Sequence, residues 1–130
     1  MKKLFYLIPF LFITVCFQAC DMLEAHPYDA YVRGEKNLNG KNIQKITANL
    51  KDKKEFRFAF ISDTQRWYDE TEAMVADINK RGDIDFVIHG GDLSDFGATH
   101  DFLLQRDIIL KFMMPWVALL GNHDCLGTGE

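Results

Sequence analysis

The 130-residue sequence has no apolar run long enough to cross a bilayer as a helix. Its longest, residues 4–17, holds fourteen mostly apolar residues interrupted by Pro9, against the ~20 that a span requires. It has no excess of positive charge either: 15 Lys and Arg stand against 19 Asp and Glu. No basic cluster is interleaved with aromatics, so nothing points to nucleic-acid binding. A nucleotide-binding glycine loop is missing as well, because the first strand candidate runs into Ser62-Asp63-Thr64-Gln65. Cysteine is scarce, with only Cys16, Cys20 and Cys125. There is no low-complexity segment, and no repeat beyond a strand–helix period.

What is present begins with a targeting pattern. Lys2-Lys3 precedes the short apolar run, as in a secretory signal peptide over residues 1–19. The run ends in Phe17-Gln18-Ala19-Cys20-Asp21, which resembles a loose bacterial lipoprotein cleavage site with Cys20 as the lipidated residue; Phe17 departs from the small aliphatic residue usual there. A conventionally cleaved or uncleaved signal is the alternative. The expectation is an exported protein, anchored to a membrane through a lipid on Cys20 or held in the periplasm or at the cell surface. Removing residues 1–19 takes two lysines and no acidic residue, which moves the formal charge from −4 to −6. With Cys20 lipidated, Cys125 is left alone and no intrachain disulfide can form. The fold then rests on its core or on bound metal.

Residues 20–54 read as a polar tether followed by a lead-in helix. Pro27, Gly34 and Gly40 mark the tether, and Ile43, Ile46 and Leu50 give a helical i, i+3, i+7 stripe. Residues 55–130 carry the chemistry. Residues 86–88, Phe-Val-Ile, read as a strand buried on both faces, and they lead through Gly90-Gly91 to Asp92. Open α/β sheets place their ligands just past such strand ends, although Asp after Gly-Gly is also an ordinary turn residue. The pattern occurs three times. Residues 56–61 run into Ser62-Asp63, and residues 115–120 run into Gly121-Asn122-His123-Asp124. From Asp63 to Asp92 is 29 residues and from Asp92 to Asn122 is 30, each the length of one βαβ unit. Right-handed crossovers put all three ends on one sheet edge, so Asp63, Asp92, Asn122 and His123 can converge.

Asp63-Thr64-Gln65, Gly91-Asp92-Leu93-Ser94-Asp95 and Gly121-Asn122-His123-Asp124 resemble the first three motifs of the calcineurin-like metallophosphoesterases, D-x-H, G-D-x-x-[DN] and G-N-H-[DE]. The resemblance covers a little over half of the chain, and Gln65 departs from it by standing where that family usually has a metal-binding histidine. It implies an α/β fold, the βαβαβ half of a four-layer αββα sandwich, with the two later histidine motifs lacking a counterpart here. The expectation is therefore a truncated N-terminal part of the domain, inactive and marginally stable alone, whose parent hydrolyses a phosphomono- or phosphodiester. The resemblance further implies two divalent metal ions that neutralise the ester's charge and activate a shared water. Asp63, Gln65, Asp92 and Asn122 would hold the metals, with Asp92 bridging. His123 would protonate the leaving oxygen, with Asp124 or Asp95 orienting its ring. Gln65 offers only a neutral amide oxygen, a weaker donor than imidazole for a transition metal.

Between the strands, Asp69 and Glu72 look like a capping box opening a helix whose core face is Met74, Val75 and Ile78, with Gly82 ending it. A second helix is expected from Thr99 to Met113, stopped by Pro115, with Phe102, Leu103, Ile109, Leu110 and Met113 buried. Trp67-Tyr68 leaves two readings open, an aromatic wall for substrate or a cover for the core. His89 reads as a hydrogen-bonded buried histidine at the sheet edge. The rival to an enzyme is a non-catalytic surface module in which Gln65 marks a degraded metal site; the complete Gly-Asn-His-Asp stretch favours the enzyme.

Overall fold

The computed structural model describes residues 34–127. The signal-peptide and Cys20 lipidation readings lie outside the described residues. In order the elements are α1 (Leu38–Leu50), β1 (Phe58–Ile61), α2 (Tyr68–Lys80), β2 (Phe86–His89), α3 (Thr99–Ile109), β3 (Trp116–Ala118) and a single 3₁₀ turn (His123–Cys125). The three strands form one parallel sheet in the order β1-β2-β3. This is the expected βαβαβ arrangement. No described helix is long and apolar enough to cross a membrane.

Both crossovers step the same way along the sheet, and right-handed connections therefore lay α2 and α3 on one face. Register puts Ala59 beside Val87 and Val87 beside Trp116, so these residues share the helix-covered face. That face is the core: Ile61, Val87 and Trp116 pack with Val75 of α2, Ile108 and Ile109 of α3, and Phe112. Burying each such side chain contributes about 1.5–3 kcal/mol. The opposite face carries Phe56, Phe58 and Phe60, exposed by 52%, 48% and 64%. Phe58 stacks on Phe86 at 5.3 Å between ring centres, and Phe56 lies 5.8 Å from Phe86, which covers that ring without covering the face.

Several element details differ from expectation. The lead-in helix starts at Leu38, five residues before Ile43, and Ile43 is exposed while Asn42 is buried. Its Asn39 explains part of this. The amide of Asn39 donates to Ala118 O at 2.7 Å and accepts from Ala118 N at 3.0 Å, serving the outer edge of β3 as a neighbouring strand would. The capping box does not form, because α2 begins at Tyr68 with no side-chain cap and Thr71 bonds Trp67 O instead. α3 stops at Ile109, where tight turns from Lys111 N to Ile108 O and Phe112 N to Ile109 O carry Phe112 into the core. Leu110 and Met113 are consequently exposed, and the buried stripe runs Gln105, Ile108, Ile109, Phe112.

Candidate functional site

The last residues of the strands lie side by side: Ile61 pairs with His89, and His89 with Ala118. All three motif loops therefore leave the sheet from one line. The first two remain zipped beyond it. Gly90 N donates to Ile61 O at 2.8 Å, Asp63 N to Gly91 O at 3.1 Å, and Gln65 N to Asp92 O at 3.1 Å. Asp63 and Asp92 both adopt left-handed backbone, with φ of 57° and 58°. For a non-glycine residue that conformation is uncommon, and it concentrates at sites where the surroundings enforce it.

The second and third loops touch through glycine. Gly91 has φ 109°, and a Cβ built on it would stand 2.7 Å from Gly121 Cα. A Cβ on Gly121 would in turn meet Asp92 N at 2.5 Å and run into the Asp92 carboxylate. These two positions admit no side chain because main chain passes against main chain there. The approach lets Asp92 Oδ1 accept His123 N–H at 2.9 Å, which joins the candidate bridging carboxylate to the catalytic candidate.

Asp124 holds this arrangement together. Its carboxylate, 3% exposed, accepts four main-chain N–H groups: Leu93 and Ser94 on Oδ1 at 2.8 Å each, Asp92 and Gly121 on Oδ2 at 2.8 and 2.9 Å. Of the two carboxylates that could orient His123, Asp124 has both oxygens taken up by main chain. Asp95 does meet His123, but through its main-chain oxygen, which lies 3.0 Å from Nδ1. Its carboxylate pairs with the Nε of Arg66, a residue also in left-handed backbone at φ 68°.

Gln65 supplies the observation that bears most directly on a metal. Its Oε1 is buried and has no hydrogen-bond partner. Buried carbonyl oxygens are normally bonded, and leaving one bare costs about 1–3 kcal/mol. Gln65 stands two residues after Asp63 and its main chain bonds Asp92 O, so the motif loops carry a dry electron-pair donor of the kind a cation takes. Asn122 opens the 3₁₀ turn and is exposed. Among the described residues no three His, Cys, Asp or Glu side chains cluster as a metal site by themselves. The candidate set instead pairs two carboxylates, Asp63 and Asp92, with the amides of Gln65 and Asn122.

The aromatic alternatives separate: Tyr68 packs on the core, whereas Trp67 is 60% exposed on the loop after β1. Burial raises the Tyr68 hydroxyl above its ordinary pKa, with Asp101 and Asp95 adding to the effect. His89 is buried and bonded, as expected from the sequence. Its Nε2 lies 2.8 Å from Thr64 Oγ1 and its Nδ1 accepts Gly91 N–H at 3.1 Å. Burial lowers its pKa, opposed by the nearby Asp124, Asp63 and Asp92. Sequence reasoning did not single out Thr64 or Gln105, whose amide donates to Thr64 O. The one available signal for Gln105 was its place at i−3 and i−4 from two core isoleucines.

Comparison with family models matches residues 56–129 to the calcineurin-like phosphoesterase family. Comparisons with curated proteins and with solved structures find no match. The matched stretch takes in all three strands, both crossover helices and every loop residue described above. It spans more than half of the sequence, and on that ground the chain belongs to the calcineurin-like phosphoesterase family.

Proposed function

We propose that the chain carries residues of a metal-dependent phosphoesterase site that hydrolyses a phosphomono- or phosphodiester. The family supports a phosphoesterase; the observation that carries the finer reading is the bare, buried Oε1 of Gln65, a residue two positions after Asp63 whose main chain bonds Asp92 O. Asp63, Gln65, Asp92 and Asn122 are the residues that would hold two divalent ions, with Asp92 shared between them. The ions, when bound, would offset the ester's negative charge and lower the pKa of an attacking water.

The chain's own contribution is positioning and proton transfer. His123 Nδ1 faces a carbonyl oxygen, so it is the protonated nitrogen of that contact and Nε2 is the one left to exchange a proton with the leaving oxygen. Its main-chain N–H on Asp92 Oδ1 fixes the ring's base relative to the bridging carboxylate. Asp95 acts through main chain, and Arg66 steadies Asp95 from outside. Asp124 orders the amides of both loops. The protein is further proposed to be exported, and held at a membrane by a lipid on Cys20.

The test is hydrolysis of p-nitrophenyl phosphate and bis-p-nitrophenyl phosphate by the full-length protein with Mn²⁺. His123→Ala should lower turnover about 10²–10⁴-fold, the usual contribution of a positioned general acid. Turnover that persists in His123→Ala or in excess chelator contradicts the proposal. The relative rates on the two esters assign the substrate class.

A further inference from the structure

Thr64 sits between two of the candidate ligands, Asp63 and Gln65, yet it is itself 3% exposed. It is gripped at two atoms. Its Oγ1 meets Nε2 of His89 at 2.8 Å, and its main-chain oxygen accepts from Nε2 of Gln105. Both partners are interior residues, His89 at 1% and Gln105 at 0% exposed. Burying such polar groups costs free energy unless bonds compensate, and Gln105 remains undercompensated because its Oε1 is also bare. An apolar residue on the same stripe of α3, between Thr64 and Ile108–Ile109, would avoid that cost. A buried glutamine there stabilises something more specific than the core.

The His89 ring makes two contacts that belong to different loops. Because Nδ1 accepts Gly91 N–H, the neutral ring carries its proton on Nε2 and donates it to Thr64 Oγ1. One imidazole therefore spans from the residue before Asp92 to the residue after Asp63. The first loop needs such support. Asp63 and Arg66 are in left-handed backbone on either side of the Thr64-Gln65 pair, and each such residue costs on the order of 1–3 kcal/mol unless its surroundings hold it.

We propose that His89 and Gln105 are positioning residues that clamp Thr64 from β2 and α3, and so fix Asp63 and Gln65 relative to Asp92 for cation binding. The inference rests on the metal reading above and adds the residues that set the spacing of its two ligand-bearing loops. Side chains that orient ligands from behind commonly change metal affinity by about 10–100-fold.

The test compares Thr64→Val, Thr64→Ser and Gln105→Leu in the full-length protein, by amide hydrogen exchange without metal and by calorimetric titration with Mn²⁺. Valine keeps the shape of threonine and loses Oγ1; serine keeps the oxygen. In Thr64→Val and Gln105→Leu, the Asp63 and Gln65 amides should exchange at least tenfold faster than in the parent, while Val87 and Trp116 amides in the sheet are unchanged. The Mn²⁺ dissociation constant should rise by about 10–100-fold, and Thr64→Ser should restore both readouts. Unchanged exchange at Asp63 and Gln65 overturns the clamp. Faster exchange with unchanged Mn²⁺ affinity, or Thr64→Ser as weak as Thr64→Val, overturns its role toward the cation. A parent protein that binds no Mn²⁺ while the exchange pattern holds refutes the metal reading instead, and with it the clamp's purpose.

Discussion

Asp124→Asn changes one atom of a side chain that touches no solvent to speak of, and it should destabilise the protein far more than an isosteric surface change. The carboxylate accepts N–H groups from Leu93 and Ser94 on one oxygen and from Asp92 and Gly121 on the other, at 2.8–2.9 Å. An amide replaces one oxygen by NH₂, which donates. Whichever way it is turned, two main-chain donors then face a third donor, and the other two lose a charged acceptor. Hydrogen bonds to charged groups contribute about 1.5–3 kcal/mol each, and a stranded buried donor costs about 1–3 kcal/mol. The loops can relax and these terms do not add in full, so the expected loss is about 3–5 kcal/mol, within the range seen when a buried charged network is broken. Domains of this kind have about 5–15 kcal/mol in all. Urea unfolding at 25 °C measures it directly: the midpoint should fall with little change in slope, as befits a change in stability alone. A loss below about 1 kcal/mol would refute the assignment of Asp124 as the hub of the two loops, since a surface carboxylate behaves that way.

Three further outcomes follow from the same geometry. Gly121→Ala places a methyl 2.5 Å from Asp92 N, where main chain must yield, so it should cost about 1–3 kcal/mol in a urea melt and weaken Mn²⁺ binding through Asp92. Gln65→His replaces a neutral oxygen donor by imidazole and should tighten Mn²⁺ or Zn²⁺ binding in calorimetry; unchanged affinity would remove Gln65 from the ligand set. His89 has its pKa lowered from 6.5 by burial, so the unfolded chain binds the proton more readily than the folded one. Its neutral form therefore contributes full stability above pH 6.5, and that contribution is lost as pH falls below 6.5 through the folded-state value. The slope from this one proton is at most about 1.4 kcal/mol per pH unit, and His89→Gln should flatten it in melts recorded across that interval.

The sheet was legible because parallel strands buried on one or both faces read as apolar runs, and because glycine and aspartate punctuate their ends at a βαβ interval. The strands are shorter than the runs: β1 loses Phe56 and Arg57, and β3 keeps only Trp116–Ala118. The rest of each run serves the aromatic face or the loops. The end of helix α3 was not legible because a polar residue, Gln105, occupies the buried stripe. Periodicity then favoured Leu110 and Met113 over Ile108 and Phe112. The candidate ligands were legible as motif residues. What held them was not, since Asp124 works by accepting amides and Thr64 by being gripped from two elements. Contacts of that kind depend on which loops meet, and spacing along the chain does not encode them. Asp95 illustrates the limit: its proximity to His123 could be anticipated, but the atom that makes the contact is a main-chain oxygen.

Calorimetric titration of Mn²⁺ into the full-length protein and into Asp92→Asn tests the central claim most directly, that three strand ends converge into one divalent-cation site with Asp92 at its centre. The account predicts saturable binding in the parent and its loss in Asp92→Asn, with the fold retained by circular dichroism. Equal binding by both proteins, or no saturable binding by the parent, would contradict it.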